Sequence, residues 1–356
     1  MMKKFKLFSV ILLLAATAIS CNKKNEGPAD TGFLHGAFIT NEGAFNQNNG
    51  SISYIDLDSS YIVNNIFQAI NGYGPGDIVQ SFGVAGNKGL IVVNHSAKVE
   101  VVDLQDFISL GTITGADYPR YILGLSDTKA YLTDGAFQGY VYVLDLTNLS
   151  IVNQITVGKG PENMVQDQNM VYVANSGGWD YDQTISVINT ETDQLINTIT
   201  VGDNPTDLVV DMNHDIWVLC KGKVVYDQNW TVTEETDSRL EKISRTGQSV
   251  EHSWVIGQTG DSFNPIRLAI NGDGTILYYV EHDGIYRMLI SDNAAPQTPF
   301  IHRSFYGLDI DPSTGIIYAL DAKGFTGQGT LFRYYPDGTL ADSVDVGIAP
   351  NGVFFN

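Results

Sequence analysis

The sequence predicts an all-β protein built as a closed ring of similar four-stranded sheets. Three observations carry this expectation. Proline recurs at Pro75, Pro119, Pro161, Pro205, Pro265 and Pro350, with opening gaps of 44, 42 and 44 residues. The runs ISYID, VEVVD, YVLD and SVIN close on Asp56, Asp103, Asp145 and Asn189 in step with those prolines. The clearest unit, Gly160 to Asn204, holds MVYVAN (170–175), TISVIN (184–189) and LINTITV (195–201) behind a weaker run at 163–166. Each of the three alternates apolar and polar residues, the period of a strand with a buried face. A repeat of about 40–45 residues with four strands per unit is the signature of a β-propeller blade. One such sheet cannot bury both faces alone, so blades must stack in a ring.

Taken in order, the chain opens on MMKKFKLFSVILLLAATAISC (1–21). A basic start, about a dozen apolar residues and a small-residue end read as a secretory signal over 1–20. The apolar run is short for a membrane span. AISC at 18–21 resembles a bacterial lipobox, which makes Cys21 the expected lipidation site and a lipid the expected anchor; an ordinary signal followed by an incidental cysteine is the alternative. NKKNEGPADTG (22–32) lacks an apolar pattern, so 21–32 reads as a lipidated tether. The propeller then fills 33–356. GAFITNEG (36–43), GSISYIDL (50–57) and YIVNNIF (61–67) supply only three strands, and the chain stops on a lone opening strand, APNGVFFN (349–356). The two ends are therefore expected to share one blade and close the ring, which removes exposed sheet edges. Blades two to seven are placed at 75–113, 119–157, 161–201, 205–256 with an insertion near 221–239, 265–302 and 306–346. The total is seven.

Composition narrows the partners. Net charge is −20, and Lys3, Lys4 and Lys6 lie in the signal, so the mature chain stands near −23. Nucleic acid and anionic lipid both select basic surfaces, so neither is expected as a partner, and membrane contact is expected only through the lipid. No GxSxG, HExxH, GxxxxGK or CxxC motif occurs. His35, His95, His214, His252, His282 and His302 are not paired at ligand spacing, so no metal site is expected; His95 and His282 fall in loops of one face. NGDG (271–274) and DPSTG (311–315) read as hairpin turns rather than calcium loops. Cys220, in IWVLC, reads as a small buried hydrophobe. No catalytic residue and no cofactor are expected.

The loops are more informative. In a propeller, the loops between second and third strands and the links between blades share one face. Those segments hold Phe45, Tyr73, Tyr118, Phe137, Trp179, Tyr181, Trp230, Phe263, Tyr306 and Phe325, with Tyr226 and Phe305 beside them. The opposite face holds turns such as SDTK, DQN, TETDQ and PDG, which contain no aromatics. Aromatics gathered on one face form an apolar platform, so those ten residues are the expected ligand-binding set.

TITVGDNP, MVYVANS and TISVINTET resemble the repeats of YncE-like, YVTN-type propellers. NEGAFNQNNGSISYID resembles the opening of a group of Bacteroidota lipoproteins with this fold. That group includes surface lipoproteins that capture cobalamin on a TonB-dependent outer-membrane transporter. The resemblance implies non-enzymatic capture of a corrinoid on the aromatic face, with the chain lipid-anchored in the outer membrane at the cell surface; the periplasmic leaflet stays open. Two other classes stay open as well: an interaction scaffold in an envelope complex, and a propeller enzyme such as a lactonase or a quinoprotein-like oxidoreductase.

Overall fold

The computed structural model describes residues 32–59, 61–135, 137–245, 249–259 and 265–356. The signal, Cys21, the tether up to residue 31 and Phe263 lie outside these residues. Among those described, no helix is long and apolar enough to cross a membrane.

Seven antiparallel sheets stand around one axis. The first blade joins the chain ends in the order Pro350–Phe355, Gly36–Asn41, Ser51–Asp56 and Ile62–Val63. Its closing register pairs Ala37 with Phe355, Ile39 with Val353 and Asn41 with Pro350. Blade two runs from Val79–Ala85 to Ser109–Thr114, and blade three from Pro119–Ser126 to Ser150–Val157. Blade four runs from Pro161–Asp167 to Gln194–Thr200, and blade five from Pro205–Val210 to Val250–Gly257. Blade six holds Leu268–Ile270, Ile276–Glu281 and Gly284–Leu289, and blade seven runs from Gly307–Ile310 to Leu340–Ile348. The first strand of each blade lies innermost and touches its counterparts in the flanking blades.

Seven buried clusters hold the ring, and each spans two neighbouring blades. Phe38, Tyr54, Phe82 and Ile91 join blades one and two; Ala37, Ile39, Tyr318 and Leu320 join blades seven and one. The strand alternation explains this. In Met170–Asn175, Val171 and Val173 pack toward blade three, while Tyr172 and Ala174 pack toward blade five. A strand buried on both faces thus serves two interfaces, and each fully buried side chain of this size contributes roughly 1.5–3 kcal/mol.

Two local expectations are corrected. The strand placed at 61–67 is a two-residue strand, Ile62–Val63, followed by a helix, Ile66–Asn71. Asn65 adopts the left-handed conformation there, Gly72 caps the helix end, and Ile66 and Phe67 are buried against the first blade. Blade six lacks a fourth full strand: only Ile301 bridges to Ile285. Pro296 and Pro299 precede that bridge, and proline cannot donate to a ladder. The insertion in blade five is itself a hairpin, Val224–Tyr226 with Val232–Glu235.

Both acidic turns are hairpin turns. Asn271 Oδ1 accepts from Thr275 N and Ile276 N at 2.8 Å, and Asp311 Oδ1 accepts from Ser313 N at 2.8 Å. Cys220 is fully buried, and burial with nearby Glu241 pushes its thiol well above the ordinary range.

Candidate functional site

In blades two to five the first strand begins at the repeating proline or its equivalent, which pairs with the last residue of the second strand: Val79 with Val93, Pro119 with Asp134, Pro161 with Asn175, and Pro205 with Cys220. A register shift follows at each of these four positions. In a regular strand, consecutive side chains face opposite ways; a bulge re-aims one of them. Here the two residues after the proline both face the channel. The first of the pair contributes Gln80, Arg120, Glu162, Thr206, Ile266, Tyr306 and Asn351, one from each blade. The second contributes Ser81, Tyr121, Asn163, Asp207 and Arg267.

These residues divide the channel. Above lies a funnel of about 610 Å³, open on the aromatic face. Below lies a chamber of about 160 Å³. Gln80, Tyr121 and Arg267 line both and form the partition. Arg267 donates to Asn351 O from Nε at 3.2 Å and Nη2 at 2.9 Å, and from Nη1 to Tyr121 Oη at 3.2 Å. Asn351 Nδ2 donates to Gln80 O at 2.9 Å and to Glu42 Oε1 at 3.0 Å, which also accepts from Tyr306 Oη at 3.0 Å. Arg120 forms an ion pair with Glu162 at 2.8 Å and donates from Nη1 to Gln80 Oε1 at 2.6 Å. Burial raises the Glu42 carboxyl, against hydrogen bonds from Tyr306 and Asn351 and the charge of Arg267.

The funnel wall carries Phe45, Tyr118, Trp179 and Tyr306, four of the expected aromatics, from blades one, three, four and seven. Trp179 is 76% exposed, yet its loop is pinned. Ser176 N and Gly177 N donate to Gly160 O and Lys159 O at 2.9 Å, and Lys159 pairs with Asp180 at 2.5 Å. Gly160, at φ +53°, is required there: a Cβ would lie 1.9 Å from Gly178 N. Phe45 stacks obliquely on His95 at 4.7 Å, and His95 Nε2 is 3.0 Å from Asn46 Oδ1. Tyr118 N donates to Asp134 Oδ1 at 3.0 Å.

The other expected aromatics are placed elsewhere. Phe325 stands edge-on to Tyr306 at 4.9 Å, behind the wall. Tyr73 packs edge-on against Phe67. Tyr181 Oη donates to Val224 O at 2.5 Å and ties blade four to the blade-five hairpin. Trp230 occupies the tip of that hairpin, 82% exposed and beside Tyr226. Phe137 is exposed outside the funnel, and Phe305 is buried between blades six and seven. His282 does not line the funnel.

The floor was not anticipated. Arg120, Glu162, Thr206, Lys221 and Arg267 all line the funnel. Burial, reinforced by the charges of Arg267 and Arg120, holds the Lys221 ammonium below the ordinary lysine range, against Glu162 and Asp207. In the chamber, burial raises Asp207 against the charge of Arg267, and raises Asp309 to about 7 against a hydrogen bond from Val353 N. Among the described residues, no three His, Cys, Asp or Glu side chains gather to hold a metal ion.

The structure therefore defines a seven-bladed β-propeller with an aromatic-walled cavity at one mouth of its channel. The chain belongs to the family described as Domain of unknown function (DUF5074), whose model matches residues 35–336. No curated protein matches it. Among solved structures it is similar to the periplasmic gluconolactonase PpgL of Pseudomonas aeruginosa, at 11% identity and TM-score 0.65 over 90% of this chain and 99% of that one. It is also similar to a quinonprotein alcohol dehydrogenase-like protein of Bacteroides thetaiotaomicron, at 14% identity and TM-score 0.65 over 91% and 79%. Hydrazine synthase of Kuenenia stuttgartiensis matches at 15% identity and TM-score 0.58 over 76% and 87%. At these identities the likeness is one of fold, and the three differ in function.

Proposed function

We propose that this protein is a non-enzymatic ligand-capturing lipoprotein of the cell envelope, with the funnel as its binding site. One observation carries the reading: Phe45, Tyr118 and Trp179, from three blades, converge on a single cavity of about 610 Å³ with a hydrogen-bonding floor. That volume lies within the range of small-molecule sites, and rigid aromatics over a few polar groups are their usual composition. The sequence resemblance makes a corrinoid such as cobalamin the first ligand to test. Its macrocycle suits the wall and its amide arms suit Lys221 at the floor. A lipid on Cys21 would hold the propeller at the outer membrane, where a TonB-dependent transporter would take the ligand onward; Cys21→Ser protein is then expected in the soluble fraction after cell fractionation.

The test is calorimetric titration with cyanocobalamin. Trp179→Ala is expected to weaken binding by roughly 2–4 kcal/mol with the melting temperature unchanged, because Trp anchors dominate hot spots. Trp230→Ala, on the hairpin tip, is expected to weaken it less. Absence of both heat and thermal shift would reject the corrinoid, and early unfolding of Trp179→Ala would reject recognition as its role.

A second reading, acid–base chemistry, has one observation in its favour: Asp309, raised to about 7, can hold or release a proton near neutral pH. Hydrolysis of gluconolactone that is lost in Asp309→Asn would favour it over capture.

A further inference from the structure

We propose that the ligand of this funnel carries an oxyanion, a carboxylate or phosphate group, that docks on Lys221 Nζ and Thr206 Oγ1. The inference rests on the capture reading and names the chemistry of the captured group.

Arg120 is occupied: Nε and Nη2 both donate to Glu162 Oε2, at 3.1 and 2.8 Å, and Nη1 donates to Gln80. Arg267 is occupied by Asn351 O and Tyr121 Oη, with Asp207 as its nearest carboxylate in charge terms. Glu42 is occupied by Tyr306 and Asn351. Lys221 differs. Its backbone is fixed, with N donating to Asn204 O at 3.0 Å and O accepting from Ser238 Oγ at 2.6 Å. Its side chain lines the funnel and makes no hydrogen bond or ion pair with any described residue. Thr206 Oγ1 is buried and has no partner either.

Both line the funnel from blade five: Thr206 sits in the bulge after Pro205, and Lys221 follows the second strand, opposite Asn204. An ammonium carries three donors, and a ligand that covered it without offering an acceptor would leave it desolvated and unpaired, which is unfavourable. Of the floor's cations, Arg120 is paired with Glu162 and Arg267 is balanced by Asp207 below it, while Lys221 has no carboxylate in contact. A ligand oxyanion would accept from the ammonium, and from the buried Thr206 hydroxyl once that side chain turns toward the funnel; charge-assisted bonds to an ammonium are the strong ones. The wall above is aromatic, so the oxyanion must be joined to an apolar body.

The test uses three probes of one shape on the intact folded propeller: 2-naphthoate, 2-naphthyl phosphate and the neutral 2-naphthamide, titrated by calorimetry. At least one anion is expected to bind about tenfold or more tightly than the amide, a step of about 1.4 kcal/mol. The tighter anion identifies the headgroup. Lys221→Met is expected to abolish the preference without lowering the melting temperature, and Lys221→Arg to keep it. Trp179→Ala is expected to weaken all three probes alike. Equal binding of anions and amide, or a preference that survives Lys221→Met, overturns the inference and leaves capture standing. Failure of all three probes while cyanocobalamin still titrates overturns this inference alone; failure of all three and of cyanocobalamin overturns capture with it.

Discussion

The funnel and the chamber beneath it are lined by consecutive residues of the same strands, and they are chemically opposite. The funnel has an aromatic wall over Arg120, Glu162 and Lys221; the chamber has Asp207 and Asp309 beside Phe82, Leu268 and Phe354. The funnel is nearly four times larger, about 610 against 160 Å³, and opens on the face with the aromatic loops. One step along a bulged strand separates Thr206 from Asp207 and Ile266 from Arg267. The difference shows that a propeller channel need not be a uniform pore. A partition of three side chains, Gln80, Tyr121 and Arg267, is enough to give its two parts different linings.

Three experiments break or sharpen this contrast. Deleting Pro350–Phe355 removes the strand that carries Asn351, opens the ring and joins the two spaces. Loss of its apolar contacts and exposure of the Gly36–Asn41 edge should lower stability by roughly 5 kcal/mol or more, read from the urea midpoint. A truncated chain that melts like the intact one would rule out the closure. Arg267→Met keeps the ring and removes the partition's cation. Asp207 is then buried without its compensating charge, and a loss of about 3–5 kcal/mol is expected. A smaller change would mean that Asn163 and the backbone N–H groups of Leu208 and Leu268, which donate to Asp207, satisfy the carboxylate without Arg267.

Asp309→Asn tests the chamber by itself. Asp309 is raised to about 7, so the folded state holds its proton more tightly than the unfolded chain does. The resulting stabilisation is full below the ordinary carboxylate range and is lost as pH rises through about 7. The Asn variant lacks this loss. Relative to the parent, its melting temperature should climb between about pH 5 and 8, by roughly 1–2 kcal/mol in free energy. Parallel pH profiles would place the titrating group elsewhere.

The fold was legible because the blade interfaces are written in short runs. MVYVAN and TISVIN each alternate between two neighbouring blades, and the prolines set the phase. The fourth strand of blade six was misjudged because Pro296 and Pro299 break a ladder that an apolar count cannot test. Half of the site was legible. Sorting loops by face found Phe45, Tyr118, Trp179 and Tyr306, but it could not separate wall from periphery, since Trp230 and Phe137 satisfy the same rule. The floor went unread although its signal was present: Arg120, Glu162 and Thr206 each follow a repeat proline, which was read only as punctuation. Glu42 and Asn351 were beyond reach, since their hydrogen bond joins residues 309 apart in sequence.

The position after the proline has a combinatorial consequence. Each blade places one letter at the channel mouth, and the word here is Gln80, Arg120, Glu162, Thr206, Ile266, Tyr306 and Asn351. The clusters that hold neighbouring blades together use none of these letters except Ile266, at the edge of one. Thr206 and Ile266, which make no hydrogen bond with another letter, can therefore be respelled singly, whereas Arg120 and Glu162 must change together. Binding specificity and ring integrity are largely separate variables in this molecule, which makes the repeat a reusable scaffold rather than a template tied to one ligand.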